Sequence, residues 1–412
     1  MTPPTPSRSR RAAALALAAL TAVTIGAGAG TAARADATST GARAGASGVA
    51  PGPRGKIVSI RPLTNSAALP SAARNWYVTY VSEGAAGTAI TVSGTVAVPR
   101  TPPPPGGWPV ISWAHGTTGT ADVCAPSADT PAGPVHDYMS VTSATLDAWV
   151  ARGFAVVQTD YEGLGTPGEH PYMNGRSAAN TVLDMVRAAR KADRRIGRDW
   201  FAAGHSQGGH AALFSAALSA AAKSARKDVN LSGAVAIAPG GWAQSTIAPY
   251  IQTGQPQAAA AVAFLPTMLI GAAAADASVE PDALLTPQAA PLLTAARAGC
   301  LAQIREVAAT IPVDKVFAPG ADLGPLTRYL KSQEPVGLTL GVPTLVAQGT
   351  ADVLVSRPTT DLMVADMCAR ARKVTYKIYE GADHRAAIAR SFDDALSFVN
   401  SIRAGKTPQS TC

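Results

Sequence analysis

The 412-residue sequence predicts an α/β fold, a mostly parallel sheet covered by helices on both faces, with a helical cap inserted late in the chain. Three observations predict it. From residue 108 onward, short apolar runs rich in β-branched residues alternate with Ala-rich amphipathic runs. In the middle of that rhythm stands Gly204-His205-Ser206-Gln207-Gly208-Gly209-His210, a Gly-x-Ser-x-Gly turn between an apolar run at 200–203 and an Ala-rich run at 211–222. The rhythm lapses between residues 241 and 335 and then resumes.

In chain order, the amino terminus comes first. Arg8, Arg10 and Arg11 precede an apolar run at 12–25, and Ala33-Arg34-Ala35 supplies an A-x-A-like cleavage site, so residues 1–35 are expected to be a secretory signal peptide. Ser9-Arg10-Arg11 hints at twin-arginine export, although Ala-rich residues follow where a bulky apolar one usually stands. No later stretch offers the ~18 continuous apolar residues of a membrane span, so a secreted, soluble chain is expected. Removing residues 1–35 deletes four arginines and no acid, which takes the formal charge from +8 to +4. The remaining arginines are scattered and no basic run is interleaved with aromatics, which argues against nucleic acid as a partner. A transient contact with a lipid interface remains compatible with this charge, and a monomer is expected. About 375 residues remain, enough for one large domain with an insertion or for two.

Residues 36–55 are Ala, Gly, Ser, Thr and Pro with almost no large apolar side chain, the composition of a flexible linker. Residues 56–63, 75–81 and 89–98 show partial alternation and predict antiparallel strands at one edge of the sheet, ended by the prolines at 102–105. Residues 108–113 predict the next strand, followed at once by the loop His115-Gly116-Thr117-Thr118-Gly119. A helix at 142–152, a buried strand at 154–159 and an amphipathic helix at 177–191 lead to the central turn, and 231–238 is the strand after it. Residues 241–335 hold Pro-punctuated helical segments, including 257–264 and 291–309, and are expected to roof the carboxyl edge of the sheet as a cap. Residues 56–240 and 336–412 are then the two parts of one core. In the second part a strand at 343–348 ends in Gly349-Thr350-Ala351-Asp352, a helix follows at 359–371, and a strand at 374–379 leads to Glu380-Gly381-Ala382-Asp383-His384 and a closing helix to about 402.

The central turn carries chemistry. A strand, a turn this tight and a helix force the serine into strained backbone angles and require small neighbours, which Gly204 and Gly208 supply. Ser206 is therefore the expected nucleophile, with the amide of Gln207, at the helix start, facing the position where an oxyanion forms. In a hydrolase built on such a turn, the loop after the 108–113 strand lies beside the serine and supplies the second oxyanion donor, and Thr117 is the residue expected to do so through its amide, assisted by its hydroxyl. A serine nucleophile needs a base, and the base needs a carboxylate to fix its tautomer. Of the six histidines, His384 alone sits in a loop beyond the last strand. Asp352 leaves the preceding strand toward the same edge, whereas Asp383 would have to fold back on its neighbour and Asp361 and Asp366 lie on the following helix. His205 and His210 flank the serine and are set aside: the first points away from the tip and the second lies a turn into the helix.

The four cysteines, Cys124, Cys300, Cys368 and Cys412, are widely spaced with no C-x-x-C pattern for zinc. Two structural disulfides are expected, and spacing alone leaves three connectivities open.

Taken together, residues 115–119, Cys124-Ala125-Pro126-Ser127, Asp160-Tyr161-Glu162-Gly163, the central turn, Gly299-Cys300-Leu301, Asp352, Met367-Cys368-Ala369 and His384 resemble the secretory lipases of the α/β-hydrolase fold, a group of fungal lipase A enzymes and bacterial secreted esterases. The resemblance spans roughly residues 70 to 412. It implies hydrolysis of small-molecule or lipid carboxylic esters without metal or cofactor, a helical cap governing access, and Cys124 paired with Cys300 and Cys368 with Cys412. In one respect the chain departs from the lipase A enzymes: Thr117 or Thr118 stands where they carry an acidic side chain in the oxyanion loop. Three alternatives remain beside a lipase or esterase: an esterase for hydroxycinnamoyl esters, a serine peptidase on the same fold, and a catalytically dead binding module.

Overall fold

Nine strands form one sheet in the order β1-β2-β3-β5-β4-β6-β7-β8-β9. The computed structural model describes residues 52–221, 228–370 and 373–412, all within the unit Val49–Cys412. The expected signal peptide and residues 36–51 of the expected linker lie outside the described residues. Where that linker becomes visible it is already tied down. Arg54 Nε donates to Asp184 Oδ2 at 2.8 Å and the amide of Gly55 donates to the carbonyl of Val81 at 2.7 Å, so the core begins slightly earlier than composition indicates.

β1 (Ile57–Pro62), β2 (Ala72–Glu83) and β3 (Ala89–Pro99) are antiparallel, as their alternation predicts, and β3 pairs antiparallel with β5 (Ala155–Thr159). From β5 the sheet is parallel through β4 (Trp108–Ala114), β6 (Ile196–His205), β7 (Asn230–Ile237), β8 (Thr344–Gly349) and β9 (Val374–Tyr379). β4 and β5 are exchanged relative to chain order, so successive connections run outward from β4 and then back to β6. Their carboxyl ends open a crevice at that reversal, the usual location of ligand sites in open α/β sheets.

Helices α1 (His136–Ala151), α2 (Gly175–Ala192) and α3 (Gln207–Ala221) follow strands β4, β5 and β6. Two apolar clusters lie on the two faces of the sheet, one including Val110, Val182 and Trp200, the other Ile111, Trp149 and Phe201. Alternate residues of β4 feed opposite clusters, as the two-residue period of a strand requires.

Between β7 and β8 the chain makes α4 (Ile247–Gln252), α5 (Ala259–Val262), α6 (Leu265–Ala275), α7 (Pro281–Leu284), α8 (Pro291–Ala298), α9 (Leu301–Ala308) and α10 (Gly324–Ser332). These helices enclose a third apolar cluster built on Leu265, Leu269, Leu292, Ile304 and Leu326. The single helix expected over 291–309 is two helices. Cys300 is extended (φ −102°, ψ 179°), because it pairs with Gly119 across the structure and is bonded to Cys124. The expected closing helix is likewise two, α12 (Ala386–Arg390) and α13 (Phe392–Arg403), preceded by α11 (Arg357–Arg370). Both disulfides implied by the resemblance are present, Cys124–Cys300 and Cys368–Cys412.

Candidate active site

Six strands present their carboxyl ends to one edge, and the sequence-predicted residues are distributed over four of them. β6 ends at His205 and α3 starts at Gln207, so Ser206 is the whole turn, held at φ +59°. A side chain at Gly204 would place its Cβ 2.3 Å from the carbonyl of Gly208, and one at Gly208 would lie 1.8 Å from the carbonyl of Ala114, so neither position tolerates even alanine. The strained turn is pinned from outside: the Ser206 amide donates to the Ile237 carbonyl (2.9 Å), and the Ser206 carbonyl accepts from Gly240 (3.0 Å). Backbone strain of this kind persists only where the surroundings over-determine it.

At the end of β8, Asp352 is buried. One carboxylate oxygen accepts from the amides of Leu354 (2.9 Å) and Val355 (2.8 Å), the other from His384 Nδ1 (2.7 Å) and Gln348 Nε2 (3.1 Å). Burial raises its pKa, but the His384 bond, the His384 charge and the two amides outweigh burial and hold the carboxyl below its ordinary value. With Nδ1 donating to a carboxylate, His384 leaves Nε2 free to accept a proton, the tautomer a general base requires. Asp383 is occupied elsewhere, accepting from the amides of Arg385 and Ala386 at the start of α12. Asp361 binds the Tyr376 hydroxyl, and Asp366 the amide of Gly337 and Arg370.

Ser206, His384, Gln207 and Thr117 all line one cavity of about 490 Å³. Gln207 is the first residue of α3, where backbone amides lack intrahelical acceptors, and neither its amide nor that of Thr117 has an acceptor among the described residues. The Thr117 hydroxyl is hydrogen-bonded to Tyr172 Oη at 2.8 Å. Around this loop, the Asp160-Tyr161 segment serves as a buttress. Tyr161 Oη donates to the His115 carbonyl (2.9 Å), and the buried Asp160 accepts from the amide and hydroxyl of Ser127 and the hydroxyl of Ser93.

Sequence reasoning set His205 aside, yet its ring joins the two halves of the site. Nε2 bonds the backbone carbonyl of His384 at 2.8 Å, and a carbonyl can only accept, so Nε2 carries the proton. Nδ1 must then accept from Tyr138 Oη (3.0 Å), which in turn accepts from the amide of Gly116 (2.8 Å). The loop of Thr117 and the loop of His384 are thus tied by one buried chain in which every donor is defined. Burial, together with the neighbouring His384, lowers the His205 pKa to about 3, so the ring stays neutral. His170 plays a similar part for the serine turn: Nδ1 donates to the Glu162 carbonyl (2.8 Å), and Nε2 accepts from Gln207 Nε2 (2.9 Å). No periodicity or spacing marks such contacts. The available clue was the position of His205 beside the serine.

The roof of the cavity comes from the inserted helices. Ala260 and Ala261 of α5, Phe264 at the break between the helices and Met268 of α6 line it, while Leu265 and Leu269 turn into the helices' own core. Arg305, on α9, and Arg385, beside His384, are the Lys/Arg side chains of the wall, and no acidic side chain lines it among the described residues.

A family model described as serine aminopeptidase, S33, matches residues 135–388. Among solved structures, lipase A of Candida antarctica superposes with a TM-score of 0.71 at 21% identity, over 87% of this chain and 84% of that one. A ligand-bound rice cell wall degrading esterase LipA from Xanthomonas oryzae gives 0.64 at 20% identity over 86% and 97%. A putative hydrolase from Legionella pneumophila gives 0.65 at 20% over 84% and 98%. At these identities the likeness shows the fold. No curated protein matches the sequence.

Proposed function

The chain belongs to the hydrolase family described as serine aminopeptidase, S33, with the α/β-hydrolase fold, and from that membership we propose that it is an exported serine carboxylic ester hydrolase. One observation carries the reading: a strained serine and a carboxylate-oriented histidine share a cavity with two unoccupied amides and an apolar roof. Ser206 Oγ attacks the ester carbonyl while His384 Nε2 takes its proton, and the amides of Gln207 and Thr117 receive the oxyanion. The tetrahedral intermediate expels the alcohol, which takes the proton from His384, leaving an acyl-enzyme. Water then attacks the acyl carbon, giving its proton to His384, and the acid departs as Ser206 is reprotonated.

The wall of the cavity favours an ester over a peptide. An aminopeptidase must hold the α-ammonium group of its substrate, for which a carboxylate is the natural partner, and among the described residues this cavity offers two arginines and no acid. Apolar contacts from Phe264 and Met268 suit an acyl chain. Two disulfides and the amino-terminal signal pattern support export.

The test is a panel of acetyl and dodecanoyl esters, a feruloyl ester and an aminoacyl amide, assayed with wild type and with protein labelled by an organophosphonate. Hydrolysis of esters, lost on labelling at Ser206, is expected. Turnover of the amide alone would assign a peptidase, and turnover of none a binding module.

A further inference from the structure

Resting on the ester-hydrolase reading, we propose that the mouth of this cavity selects esters whose alcohol portion carries a carboxylate, with Arg305 as the anchoring cation. Arg305 and Arg385 both face the cavity, but their circumstances differ. Arg385 is engaged: Nη1 donates to Asp137 at 2.6 Å and its guanidinium lies 5.7 Å from the Tyr138 ring. Arg305 has no hydrogen bond or ion pair among the described residues. Its guanidinium carbon lies 5.7 Å from the centroid of the Phe264 ring, and its N–H groups have no acceptor among the described residues. Burial and the nearby positive charge of Arg385 lower its pKa, and Asp137 only partly compensates, so a positive potential remains at the mouth.

The position of this cation is built. α9 starts where the Leu301 amide donates to the Thr118 carbonyl (2.8 Å), beside the Gly119–Cys300 bridge and the Cys124–Cys300 disulfide. Leu301 and Arg305 are four residues apart on one helical face, and both line the cavity. The helix bearing Arg305 is therefore fastened to the loop bearing Thr117, which fixes the backbone from which the Arg305 side chain reaches the cavity. The side of the substrate follows from the chemistry. His384 must protonate the departing alcohol, so Arg385 next to it, and Arg305 within electrostatic reach of Arg385, are assigned to the alcohol side, with the Phe264 ring beneath Arg305 as the border to the Ala260–Met268 lining assigned to the acyl group. A guanidinium matches a carboxylate through paired N–H···O bonds, and the pair strengthens where water is partly excluded.

The experiment compares kcat/KM for 3-butyryloxybenzoate and 3-butyryloxybenzamide, each divided by its hydroxide-catalysed rate to remove the difference in leaving-group reactivity. In wild type the carboxylate ester is expected to be favoured about tenfold, the equivalent of one good charge-assisted contact, and the preference should shrink with added salt. Arg305→Gln should bring the ratio to about one and Arg305→Glu should invert it, with thermal melting checked for each. Moving the carboxylate to the acyl side, as in a succinyl monoester, should remove the preference. A wild-type ratio near one with both esters hydrolysed would overturn this inference alone, and so would a tenfold preference surviving in Arg305→Glu. Hydrolysis of neither ester, nor of any in the broader panel, would defeat the ester-hydrolase reading and this inference with it.

Discussion

The carboxyl edge of the sheet and the helical roof above it are built on different principles. At the edge, each group in the proposed chemistry is set by backbone: Ser206 by a turn that only glycines permit, Asp352 by two amides, His384 by a carbonyl held through His205. The roof is held by an apolar cluster that its helices enclose, by the Cys124–Cys300 disulfide and by polar ties to the core, such as His210 Nε2 to the Gln333 carbonyl at 2.7 Å and Asn174 Nδ2 to Tyr329 Oη at 3.1 Å. The edge has little freedom to change without losing its geometry. The roof can exchange lining side chains while its core persists, so in the proposed function the first region sets reactivity and the second selectivity.

That contrast can be broken most directly at the proposed nucleophile. Ser206→Ala should lower kcat by about 10⁶, roughly 8 kcal/mol, on every ester alike, as triad members act as a unit. A variant keeping a tenth of the rate, with its acyl preference intact, would move the chemistry elsewhere.

Acid should attack the edge rather than the roof. His115, His170, His205 and His210 are buried, and burial, the first cause in each case, lowers their pKa values to about 4, 4, 3 and 4. None lies in residues 241–335. Each stays neutral in the fold but binds a proton in the unfolded chain below about pH 6.5, so stability is fully present above that pH and falls as pH drops toward 4. At pH 5.5 the loss is about 1.4 kcal/mol per histidine and at most about 6 in all. Asp160 and Glu162, whose pKa values burial raises, act in the opposite sense. Urea unfolding at pH 7.5 and 5.5 measures the difference, and equal midpoints would refute it.

The Cys124–Cys300 bond joins the two regions across 176 residues. In the chain-entropy model a loop of that length contributes about 5 kcal/mol and the 44-residue loop closed by Cys368–Cys412 about 4. Replacing Cys124 and Cys300 by alanine should lower the Tm more than the same change at the other pair. The reverse order would show that the roof is fastened by its packing alone.

The smallest expected effect is the most selective. Phe264→Gln should reduce kcat/KM on a dodecanoyl ester about tenfold more than on an acetyl ester, the loss of contact with roughly two methylenes at ~0.8 kcal/mol each. Equal losses on both, with a lower Tm, would assign Phe264 to the core of the roof.

Local backbone demands were legible in the sequence. The nine strands fall on the apolar and β-branched runs that predict them, and the serine turn is written in Gly204 and Gly208, whose absent Cβ atoms make room for Ala114 and for each other. Asp352 and His384 could be chosen because a parallel sheet delivers successive strand ends to one edge. The tertiary structure alone decided what crosses between distant segments. It broke the 291–309 helix at Cys300, placed the Thr117 hydroxyl on Tyr172, and aimed His205 at a carbonyl 179 residues away. It also set Arg305 in the wall beside Arg385. Periodicity and steric exclusion act over a few residues and leave a mark in the sequence, whereas a hydrogen bond between loops depends on where the whole sheet brings them.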